Sequence, residues 1–195
     1  MRKLTLLIDA LLFCMPCLAQ VLMQQGKTVV IAPTCSTAKD SVTGTTADQV
    51  AIGNFSSHTY IATKFVAGSS YTVCKATIPF FNTLSPTGSI TMYIYSDSPG
   101  APGTQIGTGS GAVLESSFPG TEGTAIAFTG MSAAVVSGTT YWLVAALTGD
   151  GNGSAYANWP EATSSSGTID NSSDGISWNG LSSFSNAPKF TLFSN

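Results

Sequence analysis

Three aromatic residues and two acidic turns stand out in the last third of the chain. Tyr156, Trp159 and Trp178 flank Asp150-Gly151-Asn152-Gly153 and Asp170-Asn171-Ser172-Ser173-Asp174-Gly175. Aromatic rings can stack on the apolar faces of sugars, and Asp and Asn side chains hydrogen-bond to hydroxyls. Tyr156, Trp159, Trp178, Asp150 and Asn152 are therefore a candidate carbohydrate-binding set, provided that loops at one end of the fold bring them together. The opposing reading makes Trp159 a core residue, since tryptophan is highly buried on average. Trp178 sits among Gly, Ser and Asn, which leave it little to pack against locally. Trp142, embedded in the apolar stretch 141–146, reads as structural.

Hard cations take oxygen ligands, so Asp170 and Asp174 are candidate calcium ligands. Their run lacks the distal Glu and flanking helices of the helix-loop-helix calcium signature, and Asx residues with Gly also make plain turns. Glycoside hydrolysis needs two carboxyl groups facing each other about 5–10 Å apart. The spacing of Glu115, Glu122 and Glu161 pairs none of them, and they read as solvated turn acids. Serine hydrolysis needs a nucleophile, a base and an orienting acid in mutual reach. Ser56, Ser57 and His58 are chain neighbours, but neighbours on a strand point to opposite faces, and no Gly-x-Ser-x-Gly elbow accompanies them. His58, the sole histidine, reads as a surface or hydrogen-bonded residue. Neither a catalytic residue nor a cofactor is expected beyond the calcium reading.

The elements that must position these residues are short apolar runs between turns, with no sustained helical periodicity after the first twenty residues. Strands are expected over 27–32, 60–66, 71–80, 89–95, 112–115, 124–128, 140–148, 154–159 and 189–193. Along 89–95, Ile90, Met92 and Ile94 point to one face and Thr91, Tyr93 and Tyr95 to the other, and the aliphatic face is assigned to the core. Phe190 and Leu192 likewise share a face. Ser85-Pro86-Thr87-Gly88, Ser98-Pro99-Gly100, Ala101-Pro102-Gly103 and Asp150-Gly151-Asn152-Gly153 read as turns, since Pro presets φ and Gly reaches positive φ. The expected class is all-β: a two-sheet antiparallel β-sandwich, jelly-roll-like.

The N-terminus reads as an export signal over residues 1–19. Arg2 and Lys3 precede an apolar stretch, and Cys17-Leu18-Ala19 offers a small-residue cleavage site, although Asp9 is costly inside that stretch. The remainder suits one domain that would bury roughly 70% of its unfolded surface. It is expected as an N-terminal strand and loop segment, 20–48, and a sandwich, 49–195. Charged residues are only 9% of the chain and the apolar fraction is 43%, the composition of a folded extracellular β-protein and not of a disordered one. Beyond the signal there is no arginine, and Lys27, Lys39, Lys64, Lys75 and Lys189 are scattered. Nucleic-acid binding, which needs a basic stripe, is excluded on that ground. No later stretch is apolar for the ~20 residues of a membrane helix. Cys35 and Cys74 remain after the signal and are expected to pair in an oxidising compartment, the alternative being two buried thiols.

From about Ile61 to the C-terminus the chain resembles the choice-of-anchor R domain of bacterial surface and exported proteins. The residues that carry this are Ala62-Thr63-Lys64-Phe65 leading into Tyr71-Thr72-Val73, Tyr93-Ile94-Tyr95-Ser96-Asp97 followed by Gly100-Ala101-Pro102-Gly103-Thr104, and Thr139-Thr140-Tyr141-Trp142-Leu143-Val144. Asp174-Gly175-Ile176-Ser177-Trp178 and Lys189-Phe190 match its closing pattern. The resemblance implies a fold and an extracellular, cell-surface or periplasmic address, and no reaction. The family's usual C-terminal anchor has no counterpart before Asn195, which leaves the mode of retention open. The expected function is a non-catalytic structural or adhesive module, able to self-assemble or to bind a surface protein or glycan through apolar patches such as that near Tyr93 and Tyr95. The alternative is a carbohydrate-binding module.

Overall fold

A computed structural model describes residues 21–24, 27–30, 34–149, 155–180 and 186–195. The expected signal and the turn holding Asp150 and Asn152 lie outside the described residues. The chain divides into two compact units, Met1–Thr34 and Cys35–Asn195. In the first, β1 (Val21–Gln24) and β2 (Lys27–Val30) form an antiparallel hairpin in which Val21 faces Val30.

Among its described residues the second unit holds three antiparallel sheets. The largest has seven strands: β10 (Val113–Leu114), β8 (Ser89–Ser98), β12 (Thr140–Thr148), β5 (Tyr60–Val66), β14 (Ile169–Ser172) and β15 (Asn179–Gly180) in that order, with β9 (Ala101–Ile106) also on β8. A four-stranded sheet runs β11 (Ile126–Val135), β6 (Tyr71–Ile78), β17 (Phe190–Ser194), β3 (Thr37–Val42). Another joins β16 (Asn186–Pro188), β13 (Tyr156–Ser166) and β4 (Thr46–Ile52), with β7 (Phe81–Thr83) also on β13. The all-β sandwich expected from the turn-punctuated pattern is therefore present, with its second layer divided between two sheets.

One apolar core joins the three sheets. It takes Ile90, Met92 and Ile94 from β8, Val73, Ala76 and Ile78 from β6, Phe190 and Leu192 from β17, and Val50, Ile52, Ala157 and Trp159 from β4 and β13. The period-2 assignments made for β8 and β17 hold, because each strand has one face on this core. Within the core, Phe80 stacks on Phe118 and meets Phe128 and Trp159 edge-on, and Phe118 meets Phe128 edge-on, with centroids 5.3–6.4 Å apart.

Residues 107–111 tie the seven-stranded sheet to β11. Thr108 and Ser132 exchange backbone hydrogen bonds, Ser110 N donates to Met92 O, and Gly111 N donates to Thr129 O. Gly107 is obligatory at this junction: its φ is +63°, and a Cβ there would overlap the Ser132 carbonyl. Cys35 and Cys74 are bonded, with Cα atoms 5.9 Å apart and a separation of 39 positions in sequence. A loop of that span stabilises a fold by about 4 kcal/mol in the chain-entropy model.

Several expectations are corrected. The boundary drawn at residue 49 moves back to Cys35, because β3 pairs with β17 and β4 with β13. β3 escapes a pattern search because it is a sheet edge whose sequence, Thr-Ala-Lys-Asp-Ser-Val, shows no apolar alternation. Ala101-Pro102-Gly103 opens the outer strand β9 and does not form a turn. Proline is tolerated there because the strand pairs on one side only. Asp170-Asn171-Ser172, read as a turn, is a buried strand between β5 and β15.

Candidate functional site

Alternation sends the second set of side chains in the large sheet to its outer face, and the register aligns them in rows. Tyr95, Trp142 and Lys64 lie side by side across β8, β12 and β5, and Tyr93, Val144, Ala62 and Asp170 form the next row. These residues make a second apolar cluster: Ala62, Trp142 and Val144 are buried, with Tyr60, Tyr93, Tyr95 and Trp178 half-buried around them. Trp142 is covered by neighbours. Its indole N–H donates to Asp97 Oδ1 at 2.8 Å, and Lys64 Nζ lies 5.4 Å from its ring centroid.

Trp178 reaches this face from the loop between β14 and β15. Its ring meets Tyr60 and Tyr95 edge-on, at centroid distances of 6.4 and 6.2 Å, and its Nε1 has no hydrogen-bond partner among the described residues. The loop is shaped by Asp174, whose Oδ1 accepts from Ile176 N at 2.8 Å, Ser177 N at 2.7 Å and the Ser172 hydroxyl at 2.8 Å. Gly175, at φ +75°, lies against the Tyr60 ring, where a Cβ would come within 3.0 Å. Ile176, 82% exposed, forms the tip. The phenols of Tyr60 and Tyr93 lie close enough to Tyr95 to reinforce the effect of burial, which raises the Tyr95 hydroxyl above its ordinary pKa. A groove of about 540 Å³ lined by Lys64, Val66, Thr140 and Thr168 lies alongside.

The structure does not assemble the aromatic set expected from sequence. Trp159 is 0% exposed, and its Nε1 donates to Lys189 O at 2.8 Å, so it offers no ring face to a sugar. That expectation is corrected in favour of the core reading. Tyr156 is half-buried on β13 opposite Thr83, in a different sheet from the cluster around Trp178. Of the set, Trp178 alone is placed on the aromatic face. Tyr60, Tyr93 and Tyr95 complete it, and strand alternation was the signal that pointed the last two outward.

Asp170 is 3% exposed on the outer face, and burial pushes its carboxyl up to about 6 against the opposing pull of Lys64. Asp174 is held well below the usual carboxylate range by the N–H groups of Ser177 and Ile176 and the Ser172 hydroxyl. Asp174 thus shapes a turn, while Asp170 faces Ala62 on a strand. Among the described residues no three His, Cys, Asp or Glu side chains converge as a metal would require.

The glutamates also depart from expectation. Glu115 closes β10 in a 3₁₀ turn and Glu161 lies within β13, both fully buried and neither a solvated turn acid. Glu122 is exposed and pairs with Lys189 Nζ at 2.8 Å. His58 ends a 3₁₀ turn, Ser56–His58, and its Nδ1 lies 2.9 Å from Asn54 Oδ1. Burial lowers its pKa, partly offset by a hydrogen bond with the Ala51 backbone.

Among the described residues no helix is long and apolar enough to cross a membrane. No family model, no curated protein and no solved structure matches this chain.

Proposed function

We propose that this protein is a non-catalytic, secreted or surface-displayed β-sandwich module of structural or adhesive role, which makes its contacts through the outer aromatic face of the seven-stranded sheet. The supporting observation is the cluster of Tyr60, Tyr93, Tyr95 and Trp178, with Ile176 exposed at its rim. Sheet faces in contact with water usually carry polar side chains, and aromatic residues concentrated on one surface patch mark interaction sites. The N-terminal apolar stretch and the Cys35–Cys74 bond support an oxidising, extracytoplasmic address.

The partner favoured first is protein, including a second copy of this chain. Sedimentation over a rising concentration series tests self-association: the wild type forms oligomers, and Ile176→Asp with Tyr95→Ala remains monomeric. A wild type that stays monomeric and captures no surface protein in pull-downs removes the adhesive reading.

A carbohydrate ligand is the second reading, favoured by the three tyrosines gathered around an indole on one face. On a glycan array the wild type would retain a sugar that Trp178→Ala loses. If neither protein binds any glycan, this reading is withdrawn.

A further inference from the structure

Glu161 lies on β13, in a different sheet from the aromatic face, in surroundings that do not suit a charge. It is 0% exposed, and among the described residues neither of its carboxylate oxygens has a hydrogen-bond partner. Along β13 it shares a face with Ala157 and Trp159, and along β4 Asp48 shares a face with Val50 and Ile52. The register sets Ile52 opposite Ala157, Val50 opposite Trp159 and Asp48 opposite Glu161. The row of apolar pairs therefore ends with the buried carboxyl of Glu161 opposite the solvent-exposed Asp48.

Like charges directly opposed on neighbouring strands repel, and a buried carboxylate without partners neutralises itself by keeping a proton. Among the described residues, the groups around Glu161 offer no compensating charge. From β4 comes Asp48, whose Oδ1 accepts from Gln49 N. From β16 the cross-strand neighbour is Pro188, which has no N–H to give. Lys189 follows, but its Nζ is committed to Thr46 Oγ1 at 2.6 Å and Glu122 Oε1 at 2.8 Å. Burial, then the charge of Asp48, pushes the Glu161 carboxyl up to about 7.

We propose that Glu161, set opposite Asp48, is a pH-sensitive latch between β13 and β4, closed while Glu161 keeps its proton and loosened when that proton leaves. On opening, the Glu161 O–H bond breaks, its electron pair stays on the carboxylate and the proton passes to water. A buried, unpartnered negative charge then stands at the end of the core, opposite Asp48. The loosened strand remains tethered, because β3 stays paired with β17 and Cys35 stays bonded to Cys74, so the opening is reversible.

The test is hydrogen exchange at the β4 amides, corrected for intrinsic rates, at about pH 5.5 and about pH 8.5 in wild type, Glu161→Gln and Asp48→Asn. In the wild type, protection of β4 falls at least about tenfold at the higher pH, as expected for a group titrating between these values. Glu161→Gln keeps the shape of the protonated acid and stays protected at both pH values, and Asp48→Asn shows a smaller loss than wild type. Equal wild-type protection at the two pH values overturns the latch, as does a Glu161→Gln variant that loses protection like the wild type. Restoration of wild-type protection at the higher pH by millimolar calcium also overturns it, because the pair would then be holding a cation.

Discussion

Trp142 on β12 donates its indole N–H to Asp97 at the far end of β8, 2.8 Å away, although Trp142 is wholly buried and Asp97 is exposed. This bond lets a tryptophan be buried on the outer face of a sheet without stranding its indole donor. Asp97→Ala leaves that donor unpaired and should lower stability by about 1–3 kcal/mol. Asp97→Asn, which keeps an acceptor oxygen, should cost less. Denaturant melts of the three proteins measure this, and an unchanged Asp97→Ala would remove the bond from the stability account.

The two tryptophans first weighed for ligand binding should separate cleanly. Trp159→Ala empties a core position and should cost about 3–5 kcal/mol. Trp178→Ala removes a half-buried ring from the outer face and should cost clearly less, while abolishing contact-face binding. Equal losses of stability would show that the outer cluster is as structural as the core.

At the junction between sheets, Gly107→Ala should destabilise by more than about 1 kcal/mol, since it meets both a positive φ and the Ser132 carbonyl. Gly123→Ala is the control: nothing lies within 4 Å of its added Cβ. Thermal melts that rank the two variants together would count against the junction geometry.

Asp170 sets a pH dependence on the aromatic face. Its folded carboxyl titrates at about 6 against an ordinary 3.8, so its contribution is fully present below about 3.8 and is lost as pH rises through about 6. Asp174 has the opposite sign: its pKa is depressed, so its contribution is present above the ordinary carboxylate range and disappears as pH falls below it. Asp170→Asn should flatten the melting-temperature profile between about pH 4 and about pH 6 relative to wild type. A variant whose profile parallels the wild type in that window rules Asp170 out as the source.

Much of the scaffold was legible because half-buried strands display their burial in order. The strands over residues 60–66 and 140–148 have the bounds expected, and β8 and β17 bury the faces that alternation assigned. Among the strands that escaped, β3, β9 and β14 are polar or outer strands held by neighbours and not by their own apolar content. The candidate site was legible only in part. Trp178 and the outward Tyr93 and Tyr95 were visible, but nothing local joined Tyr60 to them or withdrew Trp159.

By itself, the order of residues determined the period of the strands and the all-β class, because both depend on backbone sterics and side-chain direction within a few positions. Only the tertiary structure decided which aromatic residues meet, and which carboxyl groups lose water. Those outcomes depend on register between strands distant in sequence: Tyr60 and Tyr95 share an indole, and Asp48 faces Glu161 across a strand pair. Burial and electrostatic environment are properties of that three-dimensional neighbourhood, and no short stretch of chain contains them.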